Sequence, residues 1–120
     1  MEQLAKGPWD GFDQEAALGR VGGDLDLLKE IAGVFLDDCP RSLAELREAA
    51  ERGDCASVER AAHTLKGASA NFGAARLVSA ALRIEKMGHA RTLEGFSAAF
   101  TDVESALDTL RGELQALVES

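Results

Sequence analysis

The sequence is poor in cysteine, proline and aromatic residues. Its 120 residues include two cysteines, two prolines, one tryptophan and no tyrosine. Cys39 and Cys55 are too few for a disulfide framework, which predicts reduced thiols. No apolar run approaches the ~20 residues needed to cross a bilayer, and Met1–Lys6 lacks the basic and apolar segments of a signal peptide. We therefore expect a cytoplasmic protein that does not bind membranes.

Positive charge is also scarce. Lysine and arginine number 13 against 21 aspartates and glutamates, which gives a net charge of −8. Such a surface repels a phosphate backbone, so nucleic acid is excluded as a partner, as is an anionic membrane surface. A glycine-rich nucleotide loop of the P-loop kind is also absent, and the chain is too short to append an ATP-binding kinase domain. We therefore expect no autokinase activity.

The patterning favours helices throughout. Alternating strand-like segments are absent, and alanine, leucine, glutamate and arginine dominate. Asp13, Asp24 and Asp54 are placed to cap helix N-termini. The first expected helix runs from Asp13 to about Gly19, and the second runs from Asp24 to Gly53 with a kink or break at Pro40. The third runs from Asp54 to Gly73, and the fourth runs from about Ala74 to Met87 with a stop at Gly88. The fifth begins near Thr92. We predict an all-α fold: an N-terminal arm over residues 1–11, then an antiparallel four-helix bundle with a short additional N-terminal helix over 12–120.

The third predicted helix carries a histidine on the face opposite its apolar stripe. That stripe consists of Val58, Ala62, Leu65, Ser69 and Phe72. At about 100° per residue, His63 falls roughly 140° from Val58. Within about 60° of the histidine lie Glu59, Arg60, Lys66, Gly67 and Ala70.

Two neighbours favour a functional role over an ordinary surface histidine. Gly67 costs about 1 kcal/mol relative to alanine inside a helix, and it clears space one turn from His63. Lys66 lies three residues after His63, where its ammonium can reach an anion attached to the ring. Imidazole is a competent nucleophile near neutral pH. These residues make His63 the candidate for chemistry.

The stretch His63–Gly73, HTLKGASANFG, resembles the phosphorylation-site helix of histidine phosphotransfer (HPt) domains. The signature of that family is His-x-Leu-Lys-Gly, then small residues, an apolar residue and glycine. The segment from Phe35 to Asp54 resembles the long second helix of the family, and Leu77–Gly88, with Leu82 and Glu85, resembles the helix after the site. The resemblance covers roughly residues 12–118.

The resemblance implies a mechanism. His63 would accept a phosphoryl group on Nε2 from an aspartyl phosphate of a receiver domain and pass it to another receiver. Lys66 would offset the charge of the transferring group, and Gly67 would give steric access. The receiver would supply Mg²⁺, so no cofactor is expected on this chain. The residues expected to contact receivers of response regulators or hybrid kinases are Glu59, Arg60, Lys66, Gly67 and Ala70.

Two other functions stay open. A helical-bundle adaptor could bind response-regulator-like partners without chemistry. The dimerisation and phosphoacceptor domain of a sensor kinase also carries a helical histidine, but its bundle is completed by two chains. Because one chain here supplies all four long helices, we expect a monomer.

The remaining potential ligands do not form a metal site. Glu59 and His63 are four residues apart and could face a metal, but Cys39, Cys55 and His89 show no spacing that completes a ligand set. We predict no metal. His89 follows Gly88 and is expected in a surface loop.

Overall fold

A computed structural model of the chain describes residues 11–120, which form five α-helices and no strand. The helices are α1 (Gln14–Arg20), α2 (Leu25–Glu51), α3 (Cys55–Ala70), α4 (Ala75–Ala90) and α5 (Phe96–Glu119). The all-α prediction is confirmed. Residues 1–10, which hold most of the predicted arm, lie outside the described residues. Within the described range, no helix is both long and apolar enough to span a membrane.

The first three helices begin at the N-termini that were predicted from the capping aspartates. The carboxylates of Asp13, Asp24 and Asp54 each accept a hydrogen bond of 3.1 Å from the backbone amide three residues ahead. Each bond satisfies one of the amides that a helix N-terminus leaves without a partner, which stabilises a helix by roughly 1 kcal/mol.

Helices α2 to α5 form a closed ring of four. Each packs against the next along the chain, α2 contacts α5, and the most extensive contact is between α3 and α4. The short helix α1 lies against α2. One chain therefore completes the bundle. The largest fully buried side chains are Leu28, Leu46, Val58, Phe72, Leu77, Ile84, Val103, Leu107, Leu110 and Leu114.

The apolar stripe predicted for the third helix is buried in full, with Phe72 just beyond the end of α3. All five residues of the stripe are at most 3% exposed, and Ser69 satisfies its hydroxyl by donating to the Leu65 carbonyl at 2.7 Å. Phe72 lies between the rings of Phe12 and Phe35, with centroid separations of 6.4 and 5.1 Å. Because this face fills the core, the opposite face of α3 is free for other contacts.

Of the two alternatives predicted for Pro40, a kink or a break of the helix, the break is wrong. Helix α2 continues through Pro40 for 27 residues. Pro40 is exposed, so its ring lies outside the packed core and the helix loses one backbone hydrogen bond there. The neighbouring Cys39 is buried, which raises the pKa of its thiol to about 11, and both Cys39 and Cys55 are free.

Gly88 does not stop α4, contrary to the sequence prediction. It is buried inside the helix, where an added Cβ would lie 2.6 Å from the Glu59 nitrogen and 2.8 Å from the Cys55 carbonyl oxygen. The glycine thus permits close approach of α3 and α4. Helix α4 instead ends after Ala90, with Arg91 in the left-handed region at φ 60°. Helix α5 consequently begins at Phe96 rather than near Thr92.

A tight turn joins α3 to α4. The Phe72 and Gly73 amides donate to the Ser69 and Ala70 carbonyls, each at 3.1 Å. Gly73 adopts φ 61°, and a Cβ there would lie 2.7 Å from the Asp13 Cβ. Asp13 also donates its backbone amide to the Phe72 carbonyl at 2.9 Å, so the start of α1 is attached to this turn.

Replacing Gly88 with alanine should destabilise the protein. The new methyl group would overlap the backbone of α3, and overpacking of this kind costs roughly 1–3 kcal/mol. Gly112→Ala is the matched control, because a Cβ at Gly112 in α5 meets no heavy atom within 4 Å. We expect Gly112→Ala to raise the free energy of unfolding by up to about 1 kcal/mol through helix propensity. Urea denaturation measures both, and equal effects of the two variants would contradict the packing role of Gly88.

Candidate functional site

His63 projects from the middle of α3 into solvent. Its side chain is 66% exposed, and its Nδ1 lies 2.9 Å from Oε2 of Glu85 on α4. The contact fixes one edge of the imidazole against the bundle. The other nitrogen, Nε2, is on the opposite side of the ring.

Lys66 reaches the same carboxylate. Its Nζ lies 2.7 Å from Oε1 of Glu85, and its side chain is 26% exposed. Three residues on a helix advance by nearly one turn, so His63 and Lys66 lie on one side of α3 facing α4. Glu85 therefore holds both side chains, one on each carboxylate oxygen.

The charge of Glu85 determines which ring nitrogen can react. The contact with Lys66 lowers the pKa of the Glu85 carboxyl below its ordinary value, and His63 adds to the shift, against the opposing effect of partial burial. Glu85 is thus ionised at neutral pH and can only accept hydrogen bonds. In a neutral imidazole the proton therefore lies on Nδ1, which leaves the lone pair on Nε2.

Gly67 leaves open space beside the histidine. It is exposed, and a Cβ built on it would meet no heavy atom within 4 Å. No packing contact within the described residues therefore requires glycine at this position. Ala70, the last residue of α3, is half-buried.

Glu59 and Arg60 are engaged elsewhere than at His63. Oε2 of Glu59 lies 3.1 Å from Nδ1 of His89, and Arg60 donates from Nη2 to the Ser57 hydroxyl at 3.1 Å. The prediction that His89 lies in a loop is wrong, because α4 extends through Ala90 and places His89 in its last turn. Its side chain is nevertheless 81% exposed.

Glu85 was not identified as a site residue from the sequence. It entered only as part of the segment that resembles a family helix. A signal was present, because Glu85 follows Ala81 by four residues and precedes Gly88 by three. A carboxylate beside a buried helical stripe needs a partner, and here the partners come from α3.

An apolar groove lies next to the histidine, between α2 and α3. Its volume is about 290 Å³. Val34, on its α2 side, is a large apolar residue that is 60% exposed. The lining includes Ile31, Val34, Phe35, Thr64, Leu65 and Ala68. Thr64 follows His63 directly, so the groove borders the site.

No metal site accompanies this arrangement in the part of the chain that the structure describes. Within residues 11–120, no three histidine, cysteine, aspartate or glutamate side chains are grouped so that they could hold an ion.

The helical bundle thus presents an exposed histidine, held by a carboxylate, beside a lysine and an open glycine. Comparison of sequences identifies the family. The family model described as "Hpt domain" matches residues 30–120, so the chain belongs to the Hpt domain family.

Curated relatives come from a plant. Histidine-containing phosphotransfer proteins 2 and 5 of Arabidopsis thaliana are 25% identical over 96 residues and 26% identical over 98 residues. These alignments cover 78% and 79% of this chain but 62% of each relative. The chain thus spans less than two thirds of the length of the curated relatives it matches.

Solved structures share the fold. Histidine-containing phosphotransfer protein B (HptB) from Pseudomonas aeruginosa PAO1 superposes with a TM-score of 0.83 at 21% identity, covering 90% of this chain and 94% of that one. The HPT domain of a sensor hybrid histidine kinase from Shewanella gives 0.80 at 18% identity, covering 92% and 96%. The four-helix bundle with an additional N-terminal helix is therefore a known architecture.

Replacing Glu85 with glutamine should change the pH dependence of stability. A carboxyl whose pKa is lowered by folding stabilises the folded state above its unfolded pKa, here near 4.5, and this stabilisation is lost as the pH falls through the folded value. We expect Glu85→Gln to be less stable than wild type at neutral pH by about 1 kcal/mol, because the pair is partly exposed. The difference should disappear in acid.

Urea denaturation at neutral pH and at about pH 3 measures this difference. Glu104→Gln is the control, since Glu104 lies exposed on α5 and pairs with no cation among residues 11–120. A gap between wild type and Glu85→Gln that persists or widens on acidification would show that the carboxylate is not stabilised by Lys66 and His63.

Proposed function

We propose that this domain is a phosphorelay intermediate that accepts a phosphoryl group on His63 from a receiver-domain aspartyl phosphate and passes it to another receiver. The observation that carries the proposal is the contact of His63 Nδ1 with the Glu85 carboxylate at 2.9 Å. That contact directs the lone pair of Nε2 outward on a side chain that is 66% exposed. Membership of the Hpt family supports the same role.

The transfer step follows from this tautomer. The Nε2 lone pair attacks phosphorus, an N–P bond forms, and the P–O bond to the receiver aspartate breaks with the electron pair leaving on the carboxylate. The ring becomes an imidazolium whose proton stays on Nδ1. The Glu85 carboxylate offsets this positive charge, so no proton has to move during the step.

Lys66 supplies the positive charge of the site. Its ammonium is held by Glu85 on the same side of α3 as His63, which places it within reach of a phosphoryl group on the ring. Electrostatic stabilisation is the main contribution that a protein makes to phosphoryl transfer. Mg²⁺ would be bound by the receiver and would neutralise further charge on the phosphoryl group.

The surface around His63 fits a protein partner. The open position at Gly67 allows a receiver to approach the ring, and the apolar groove with Val34 offers contact area beside it. We propose that Glu59, Arg60 and Ala70 form the edge of this contact. The domain would act in the cytoplasm as a monomer that relays phosphoryl groups without making them from ATP.

Replacing His63 with glutamine should abolish the fast phosphoryl transfer from a receiver to the domain. The assay mixes the domain with a receiver phosphorylated on aspartate and follows acid-labile, base-stable phosphate on the domain over the first seconds. Glutamine has no nucleophilic nitrogen, so the variant should not acquire the label that wild type acquires within these seconds. If wild type and His63→Gln bind the receiver equally well and neither carries the label, the adaptor function is favoured instead.

Replacing Gly67 with alanine should raise the free energy of unfolding of the domain and lower its rate of phosphoryl transfer. The added methyl meets no atom of the described residues within 4 Å, so helix propensity should raise the free energy of unfolding by about 0.5–1 kcal/mol. The same methyl projects where the receiver approaches, so the transfer rate should fall by about tenfold or more, since a small displacement of reacting groups has effects of this size.

Two measurements on the Gly67→Ala domain, urea denaturation and the transfer assay, check this prediction. Gly112→Ala is again the control, and should gain stability without losing transfer. A Gly67→Ala domain that transfers at the wild-type rate would show that the open position is not used by the partner.

A further inference from the structure

A second histidine–glutamate pair crosses the interface between α3 and α4. Nδ1 of His89 on α4 lies 3.1 Å from Oε2 of Glu59 on α3, and Nδ1 of His63 on α3 lies 2.9 Å from Oε2 of Glu85 on α4. In both pairs the carboxylate comes from the opposite helix and meets the same ring nitrogen. The chain has only these two histidines, and both are bound in this way.

The two pairs are related by an approximate twofold repeat. Both helices carry a glutamate four residues before a histidine, and the steps from Glu59 to Glu85 and from His63 to His89 are both 26 residues. The same step relates two buried pairs, Val58 with Ile84 and Ala62 with Gly88. The antiparallel packing thus brings each glutamate to the histidine of the opposite helix.

The Glu59–His89 pair contributes little to stability. The His89 side chain is 81% exposed and that of Glu59 is 39% exposed, and exposed ion pairs contribute between about 0 and 1 kcal/mol. The carboxylate does have a chemical effect. It holds the ring proton on Nδ1 and leaves the lone pair on Nε2.

We propose that His89 is a second phosphoryl acceptor, with Nε2 as the reacting atom and Glu59 as its positioning residue. The phosphoryl donor is an acyl phosphate or a phosphoramidate. The Nε2 lone pair attacks phosphorus and an N–P bond forms. With an acyl phosphate the P–O bond breaks and the carboxylate leaves with the bonding pair. With phosphoramidate, whose nitrogen is protonated as –NH3⁺, the P–N bond breaks and ammonia leaves with the bonding pair. The proton on Nδ1 stays hydrogen-bonded to Glu59, which offsets the charge of the imidazolium.

His89 should be slower than His63. The repeat places Thr92 where Lys66 would be and Leu93 where Gly67 would be, and both lie beyond the end of α4. The repeat therefore supplies His89 with neither a lysine in the position of Lys66 nor a glycine in the position of Gly67. Loss of one such electrostatic contact lowers the rate of phosphoryl transfer by on the order of tenfold.

The test uses the full chain and two phosphoryl donors. Wild type, His63→Gln, His89→Gln and the double variant are treated with potassium phosphoramidate, and in a second arm with a receiver domain phosphorylated on aspartate. Intact mass and acid lability report the number of phosphohistidines, and the double variant gives the background. The phosphoramidate arm does not involve a receiver, so it tests His89 even where transfer to His63 fails.

We expect His63→Gln to take up one phosphoryl group from phosphoramidate, about tenfold slower than His89→Gln does at His63. Adding Glu59→Gln to His63→Gln should slow this uptake by about three- to tenfold, while Glu104→Gln, on α5, should not. Labelling by both donors identifies receivers as the source, and labelling by phosphoramidate alone identifies small phosphoryl donors. The proposal is overturned if His63→Gln stays unlabelled in both arms, or reacts no faster than the urea-unfolded chain and is indifferent to Glu59→Gln.

Discussion

The close backbone contact at Gly88 is the constraint on which the site depends. With no Cβ at this position, α4 lies directly against the backbone of α3 near Cys55 and Glu59. That approach brings the carboxylate of Glu85 within 3 Å of side chains on the neighbouring helix. A larger separation would leave the glutamate partly buried without a partner, which is unfavourable. The packing and the chemistry of the site are thus consequences of the same glycine.

Glu85 connects the electrostatics of the site to its reactivity. A single carboxylate holds the ammonium of Lys66 and the imidazole of His63, and the contact with Lys66 lowers the pKa of that carboxyl. The lysine thereby acts on the histidine indirectly, by favouring the ionised form of the group that selects the tautomer. A phosphoryl group on the ring would add negative charge to a site that already holds the Glu85 carboxylate, and Lys66 is the cation in that site.

The local features of this chain could be predicted from sequence, whereas contacts between helices could not. The aspartate caps, the buried stripe of α3 and the exposed position of His63 depend on helical periodicity and on residues within one turn, which a single sequence contains. Gly88 was interpreted as a helix stop because local rules assign glycine to helix ends. Its real role depends on α3, 29 or more residues earlier in the chain. The same holds for Glu85 and for the helical position of His89.

The turn between α3 and α4 sets how much the length of this chain can vary. His63 and Glu85 are 22 residues apart, and the path between them runs through Asn71–Ala74. One inserted residue there would shift α4 by about 1.5 Å along its axis and rotate it by about 100° if it were absorbed into the helix. Both cross-helix pairs would then be lost together. Insertions in the connection at residues 91–95 would leave the register of α3 and α4 intact, so length variation should be tolerated after α4 and excluded before it.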